Sequence, residues 1–179
     1  MNIGLDDFTD DTPWIETAPV LADISLDNQI EGVRLQRLVT KFDKRGDLTV
    51  LLSDLNEAGQ NSPHVYLVTA AAKSVRAWVY HKRQHDRLAF TNGSIRVVLY
   101  DLRAESPTYG KLNILDVGSA NKIVLTIPPQ VVHGVQNRGD RDATFVNMPT
   151  RAYDPSDPDK LRVPYDHPGI PYQFAGWAP

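Results

Sequence analysis

Between residues 65 and 148 apolar and polar positions alternate in short runs. VYLVTA (65–70), SVRAWVYH (74–81), RLAFT (87–91), SIRVVLYD (94–101), LNILDVG (112–118), KIVLTI (122–127) and ATFVNM (143–148) are rich in β-branched and aromatic residues, which predicts strands. TNGS (91–94), VGSAN (117–121) and NRGDRD (137–142) separate them with turn-forming residues. GVRLQRLVTKF (32–42) reads as a further strand ended by the turn FDKRGD, and helical periodicity is confined to LLSDLNEAG (51–59). Closely spaced strands without intervening helices indicate an all-β sandwich or jelly roll with few short helices, rather than βαβ units. The proline-rich tail from Pro149 is expected to lie across the barrel as an ordered strap. The 179 residues have no internal repeat and suit a single domain. Its expected parts are an N-terminal extension (1–31), a barrel (32–148) and the strap (149–179).

Composition narrows the class. The net charge of −3 argues against a general nucleic-acid partner. Without cysteine there is neither a disulfide nor a thiolate metal site, which suits the cytoplasm. The acidic start MNIGLDDFTDDTPWIE has no basic segment leading into an apolar run, so no signal peptide is expected. No apolar run of membrane-spanning length occurs, so no membrane partner is expected.

The densest candidate chemistry lies in WVYHKRQHDRLAFTNG (78–93), which holds two of the five histidines, His81 and His85. Residues two apart on a strand share a face, so His81 projects with Val79, roughly 6–7 Å further along. Trp78 and Tyr80 then pack on the other face. Arg76 stands in an otherwise apolar strand, where burial demands a phosphate or carboxylate partner, Asp86 included. His85, beside Lys82, Arg83 and Arg87, reads as a solvated turn residue; His64 and His167 read as structural, and Arg103 and Lys111 as surface charges.

DLRAESPTYGK (101–111) and NKIVLTIPPQVVHG (121–134), with ATFVNMPTRAYDP (143–155), YDHPGIPY (165–172), Arg45-Gly46 and Val75-Arg76, resemble the dTDP-4-dehydrorhamnose 3,5-epimerase family over residues 32–174. The resemblance implies a cupin-like jelly-roll β-barrel, usually a homodimer, binding a nucleotide-linked 4-keto-6-deoxy sugar without a cofactor. It places the protein in deoxysugar or polysaccharide biosynthesis. Inversion beside a ketone needs a base, a stabiliser for the enolate oxygen and an acid on the opposite face. The family supplies a histidine in an R-G-x-H run, oriented by an aspartate of the C-terminal strap, together with a lysine and a tyrosine.

Here the matching positions differ. Arg76-Ala77-Trp78-Val79 replaces the histidine run, Asp86 stands at the lysine and Asn147 at the tyrosine. Asp166 at the orienting carboxylate, His133 in IPPQVVHG and Tyr153, a second aromatic of the family, are retained. The catalytic candidates are therefore His81, Asp166, His133 and Tyr153, and the substrate-binding candidates Arg45, Arg76, Asp86, Asn147 and Lys122. Two alternatives stand beside an epimerase with His81 as base. One is a non-catalytic sugar-nucleotide binder. The other is a metal-dependent cupin, in which His81, Asp86 and His133 supply two imidazoles and a carboxylate suited to Fe(II), Mn(II) or Zn(II).

Overall fold

The computed structural model describes residues 21–44, 46–52 and 63–176. Its strands are β1 (Leu21–Ile24), β2 (Arg34–Leu38), β3 (Thr40–Asp43), β4 (Gly46–Thr49), β5 (Tyr66–Ala70), β6 (Val75–Tyr80), β7 (Asp86–Phe90), β8 (Ser94–Asp101), β9 (Leu112–Gly118), β10 (Ile123–Ile127), β11 (Val131–Asn137), β12 (Ala143–Asn147) and β13 (Leu161–Arg162). They form a six-stranded sheet, β1-β2-β10-β7-β12-β5, a five-stranded sheet, β13-β6-β11-β8-β9, and the hairpin β3-β4. Every pairing is antiparallel, and the two large sheets face each other as a cupin-like jelly roll. No helix occurs among the described residues; most of the helical candidate at 51–59 falls outside them.

Alternation decides what lies between the sheets. Leu88, Phe90, Ile123, Leu125 and Ile127 of the six-stranded sheet meet Val97, Leu99, Val131 and Val135 of the other. The outer faces are also covered. Leu38, Ala89, Val124 and Met148 pack with Leu51 and Leu52 on one side. Trp78, Val98 and Val132 pack beneath Ile170 and Phe174 of the strap on the other. Two-sided cover explains why β7, β10 and β11 are buried at every position.

Four strands lie where the pattern predicted none. β4 begins inside the expected turn FDKRGD and pairs with β3. β1 comes from the stretch assigned to the N-terminal extension and pairs with β2. β13 belongs to the strap and pairs with the edge of β6. β11 was hidden in IPPQVVHG, where two prolines and a glycine weaken the strand signal. Its pairing with β6 contains an irregularity: His133 faces Val79, but Val135 faces Arg76. Ala77 and Trp78 together therefore oppose Gly134, a β-bulge. Because of it, Arg76 and Val79 reach the same inner pocket although they are three residues apart.

Candidate functional site

At the end of the barrel where β6 and β7 are joined, His81, Asp86 and His133 converge, and all are buried. Asp86 opens β7 and His133 lies on β11 of the facing sheet; His81 immediately follows β6. His81 Nε2 is 3.2 Å and His133 Nε2 3.4 Å from the same carboxylate oxygen, Asp86 Oδ2. The imidazole rings stack with centroids 5.7 Å apart. The other Asp86 oxygen accepts from Gln84 Nε2 at 2.8 Å. His81 Nδ1 donates to the Asp159 carbonyl, which fixes its proton on Nδ1, whereas His133 Nδ1 lies a long 3.4 Å from the Val131 carbonyl.

The charges in this cluster support one another. Burial disfavours the charged Asp86 carboxylate, but His133 and His81 outweigh it and hold its pKa well below the usual carboxylate range. Burial also opposes the His81 imidazolium, while Asp86 and the Asp159 carbonyl raise its pKa overall. Asp159 ties the strap to this loop a second time. Its carboxylate accepts the backbone N–H groups of Lys82, Arg83 and Gln84 at 2.8–2.9 Å.

Two adjoining spaces open from the cluster. An inner pocket of about 70 Å³ contains Asp86, His133, Val79 and Asn147. A cleft of about 260 Å³ under the strap contains His81, His64 and Tyr153. Tyr66 and Lys160 line both. Arg76 and Arg162 join Lys160 at the solvent-reaching edge of the inner pocket, and none of the three makes an ion pair among the described residues. Partial desolvation, then the charge of Arg162, lowers the Lys160 pKa; Asp86 pulls the other way. Asn147 Nδ2 donates to the Tyr66 hydroxyl at 2.8 Å.

The sequence candidates separate into groups. His81, His133 and Asp86 meet, and Arg76 and Asn147 line the same inner pocket. Arg76 is not the buried cation expected from its apolar strand, because the bulge delivers it to an open mouth. Asp166 is exposed and absent from both spaces: a turn closed by His167 N–H on the Pro164 carbonyl, and the bond from Trp78 Nε1 to the Tyr165 carbonyl, draw this part of the strap over the outer face. The strap residue that touches His81 is Asp159, through its backbone. Tyr153 lines the outer cleft and is largely exposed. Lys122 sits elsewhere, 3.2 Å from Thr40 Oγ1 and beside Asp47. Arg45 lies outside the described residues. Arg103 is no plain surface charge, since it pairs with fully buried Asp101 at 2.8 Å. Tyr66, Lys160, Asp159 and Arg162 escaped the sequence reading; no motif marks them, and only pairing and the course of the strap bring them here.

The class that fold and site define is a cupin-like jelly roll, with a buried imidazole–carboxylate cluster behind a mouth lined by Arg76, Arg162 and Lys160. Residues 27–175 match the dTDP-4-dehydrorhamnose 3,5-epimerase family, and the chain belongs to it. The chain is 31% identical over 145 residues to the spore coat polysaccharide biosynthesis protein SpsL of Bacillus subtilis, covering 81% of this chain and 96% of that protein. It is 37% identical over 139 residues to the probable low-salt glycan biosynthesis epimerase Agl13 of Haloferax volcanii, covering 76% and 89% respectively. The crystal structure of a dTDP sugar isomerase from Desulfovibrio desulfuricans G20 superposes with a TM-score of 0.77 at 31% identity, over 83% of this chain and 94% of that one.

Proposed function

We propose that this protein binds a nucleotide-linked 4-keto-6-deoxy sugar and inverts a carbon beside its ketone through an enolate. The sugar enters the barrel and its diphosphate meets Arg76 and Arg162. The observation that carries this reading is the pairing of a buried basic cluster with that cationic mouth across one cavity. His133 is the base. It lines the inner pocket, both of its contacts are long, and Asp86 stabilises the imidazolium formed on proton uptake. His81, held at both nitrogens, fixes Asp86 in its charged form. Lys160 stabilises the enolate oxygen as an ammonium placed in a partly desolvated site. Tyr153, Asn147 and Tyr66 complete the walls. The chain works in the cytoplasm on a route to a surface polysaccharide, as a homodimer covering the exposed Val65 and Leu67 at the β5 edge.

Proton NMR of the protein with dTDP-4-keto-6-deoxyglucose in D₂O tests the reading. Catalytic loss of the C3 or C5 proton signal is the expected result. Broadened nucleotide signals without exchange would leave a non-catalytic binder, and neither effect would remove this substrate.

One observation favours a second reading. The ligand atoms of His81, Asp86 and His133 lie within 4.8 Å of one another, which suits a divalent ion held by two imidazoles and one carboxylate. The His81 Nδ1–H bond to a carbonyl is also the kind of outer contact that orients a metal-ligating ring. Metal analysis and thermal melts with added Mn(II), Fe(II) or Zn(II) discriminate. A protein that carries no metal and gains no stability from any of these ions excludes this reading.

A further inference from the structure

Tyr66 begins β5 and stands directly opposite Asn147 of β12 in the strand register. Facing residues of an antiparallel pair share one side of the sheet, and both side chains enter the cavity. Asn147 Nδ2 donates to the phenol oxygen at 2.8 Å, so the hydroxyl proton remains to be given away. Among the described residues nothing accepts it. Asn147 Oδ1 is buried and likewise has no partner. Together the two side chains offer a ligand one donor and one acceptor at the junction of the inner pocket and the outer cleft.

Their placement suits a reaction that needs two faces of a ring. Asp86 is on β7, and β12 lies between β7 and β5, so Tyr66 and Asp86 are separated by two strand spacings, about 10 Å across the sheet, and by a further two residues along it. His133 approaches from the opposing sheet. A pyranose held between them presents different faces to the imidazole and to the phenol. Burial, and then the charge of Asp86, keep the Tyr66 pKa above its ordinary value and the hydroxyl protonated; Arg76, Arg162 and Asn147 act in the opposite sense. The His64 ring packs 5.1 Å from the phenol and closes its outer side.

We infer that Tyr66 is the proton donor that completes inversion, and that Asn147 is a positioning residue that turns the hydroxyl toward the sugar and receives a sugar hydroxyl on Oδ1. The inference rests on the enolising reading above. His133 takes the proton from the carbon beside the ketone, and the electron pair moves into the enolate. As the ketone reforms, the Tyr66 O–H bond breaks and its proton joins the same carbon from the other face. The phenolate regains a proton from water in the outer cleft, and the imidazolium releases its own.

Tyr66→Phe separates the two half-reactions without removing the ring, and a thermal melt confirms that it folds. With the 4-keto-6-deoxyglucose nucleotide in D₂O, wild type is expected to incorporate deuterium and accumulate inverted sugar. Tyr66→Phe is expected to retain deuterium incorporation without inversion, while inverted product falls by about a hundredfold or more. Inversion by Tyr66→Phe at the wild-type rate overturns the inference and leaves the enolising reading standing. No deuterium incorporation by wild type overturns both. Asn147→Ala removes a bond that lowers the phenol pKa, so the alkaline limb of the inversion rate moves to higher pH. An unmoved limb counts against the positioning role.

Discussion

Gly134 of β11 faces Trp78 so closely that a Cβ built on the glycine would lie 3.0 Å from the indole ring, 2.8 Å from Ala77 Cβ and 2.9 Å from Phe174. Ala77 and Trp78, opposite this glycine, form the bulge that brings Arg76 to the cavity mouth. Gly134→Ala is therefore expected to destabilise the fold by about 1–3 kcal/mol through overpacking. A calorimetric melt reads this directly, and an unchanged midpoint would show that the strap yields without cost.

Removing the Asp86 charge gives a different signature. In Asp86→Asn the His81 imidazole loses the carboxylate that favours its protonated form, so the His81 pKa, followed by NMR, moves downward. Solvent exchange into the substrate falls by about 10²–10⁴-fold with it. An unaltered exchange rate would detach the cluster from the chemistry.

The proposed diphosphate contacts can be tested apart from catalysis. Arg162→Ala and Arg76→Ala each remove a charge-assisted contact worth about 1.5–3 kcal/mol, so affinity for dTDP should fall roughly tenfold or more. Isothermal titration with dTDP alone measures this without any turnover. Lys122→Ala, altered in a different cleft, is the control and should bind normally.

Asp101 predicts the acid limb of stability. Its burial opposes ionisation, yet Arg103, Thr108 and Ser106 hydrogen-bond the carboxylate and hold its pKa below the ordinary range. A depressed folded pKa means that the stabilisation is complete above the unfolded value and is lost as pH falls through the folded one. Asp101→Asn should cost roughly 3 kcal/mol at neutral pH and much less in strong acid. Thermal midpoints of the two proteins would stay apart from pH 7 down to about pH 4 and begin to converge only in stronger acid.

The strands with a clear apolar rhythm were legible in the sequence: SIRVVLYD and LNILDVG coincide with β8 and β9. β11 was not, because its inner and outer faces are both buried and Gly134 interrupts it for a reason that lies on the neighbouring strand. The grouping of His81, Asp86 and His133 was available only through the resemblance to cupins, as the metal-binding alternative. The inward turn of Arg76 was not legible, since alternation alone places it with Trp78 and Tyr80 and only the register shift reverses that. Tyr66 gains its meaning from Asn147 across a pairing of distant segments. Asp159 gains its place from a strap whose path depends on Trp78. Local pattern encodes neither.

The strap has one consequence for the behaviour of the whole chain. The segment that seals Trp78 with Ile170 and Phe174 also delivers Lys160 and Arg162 to the cavity. Occupancy of the cavity and closure of this segment are thus thermodynamically linked, and a ligand at a hundred times its dissociation constant stabilises the closed form by about 2.7 kcal/mol. Peptide bonds between Pro149 and Phe174 that a protease reaches by local opening would become correspondingly resistant, so cleavage kinetics there report ligand occupancy without a label.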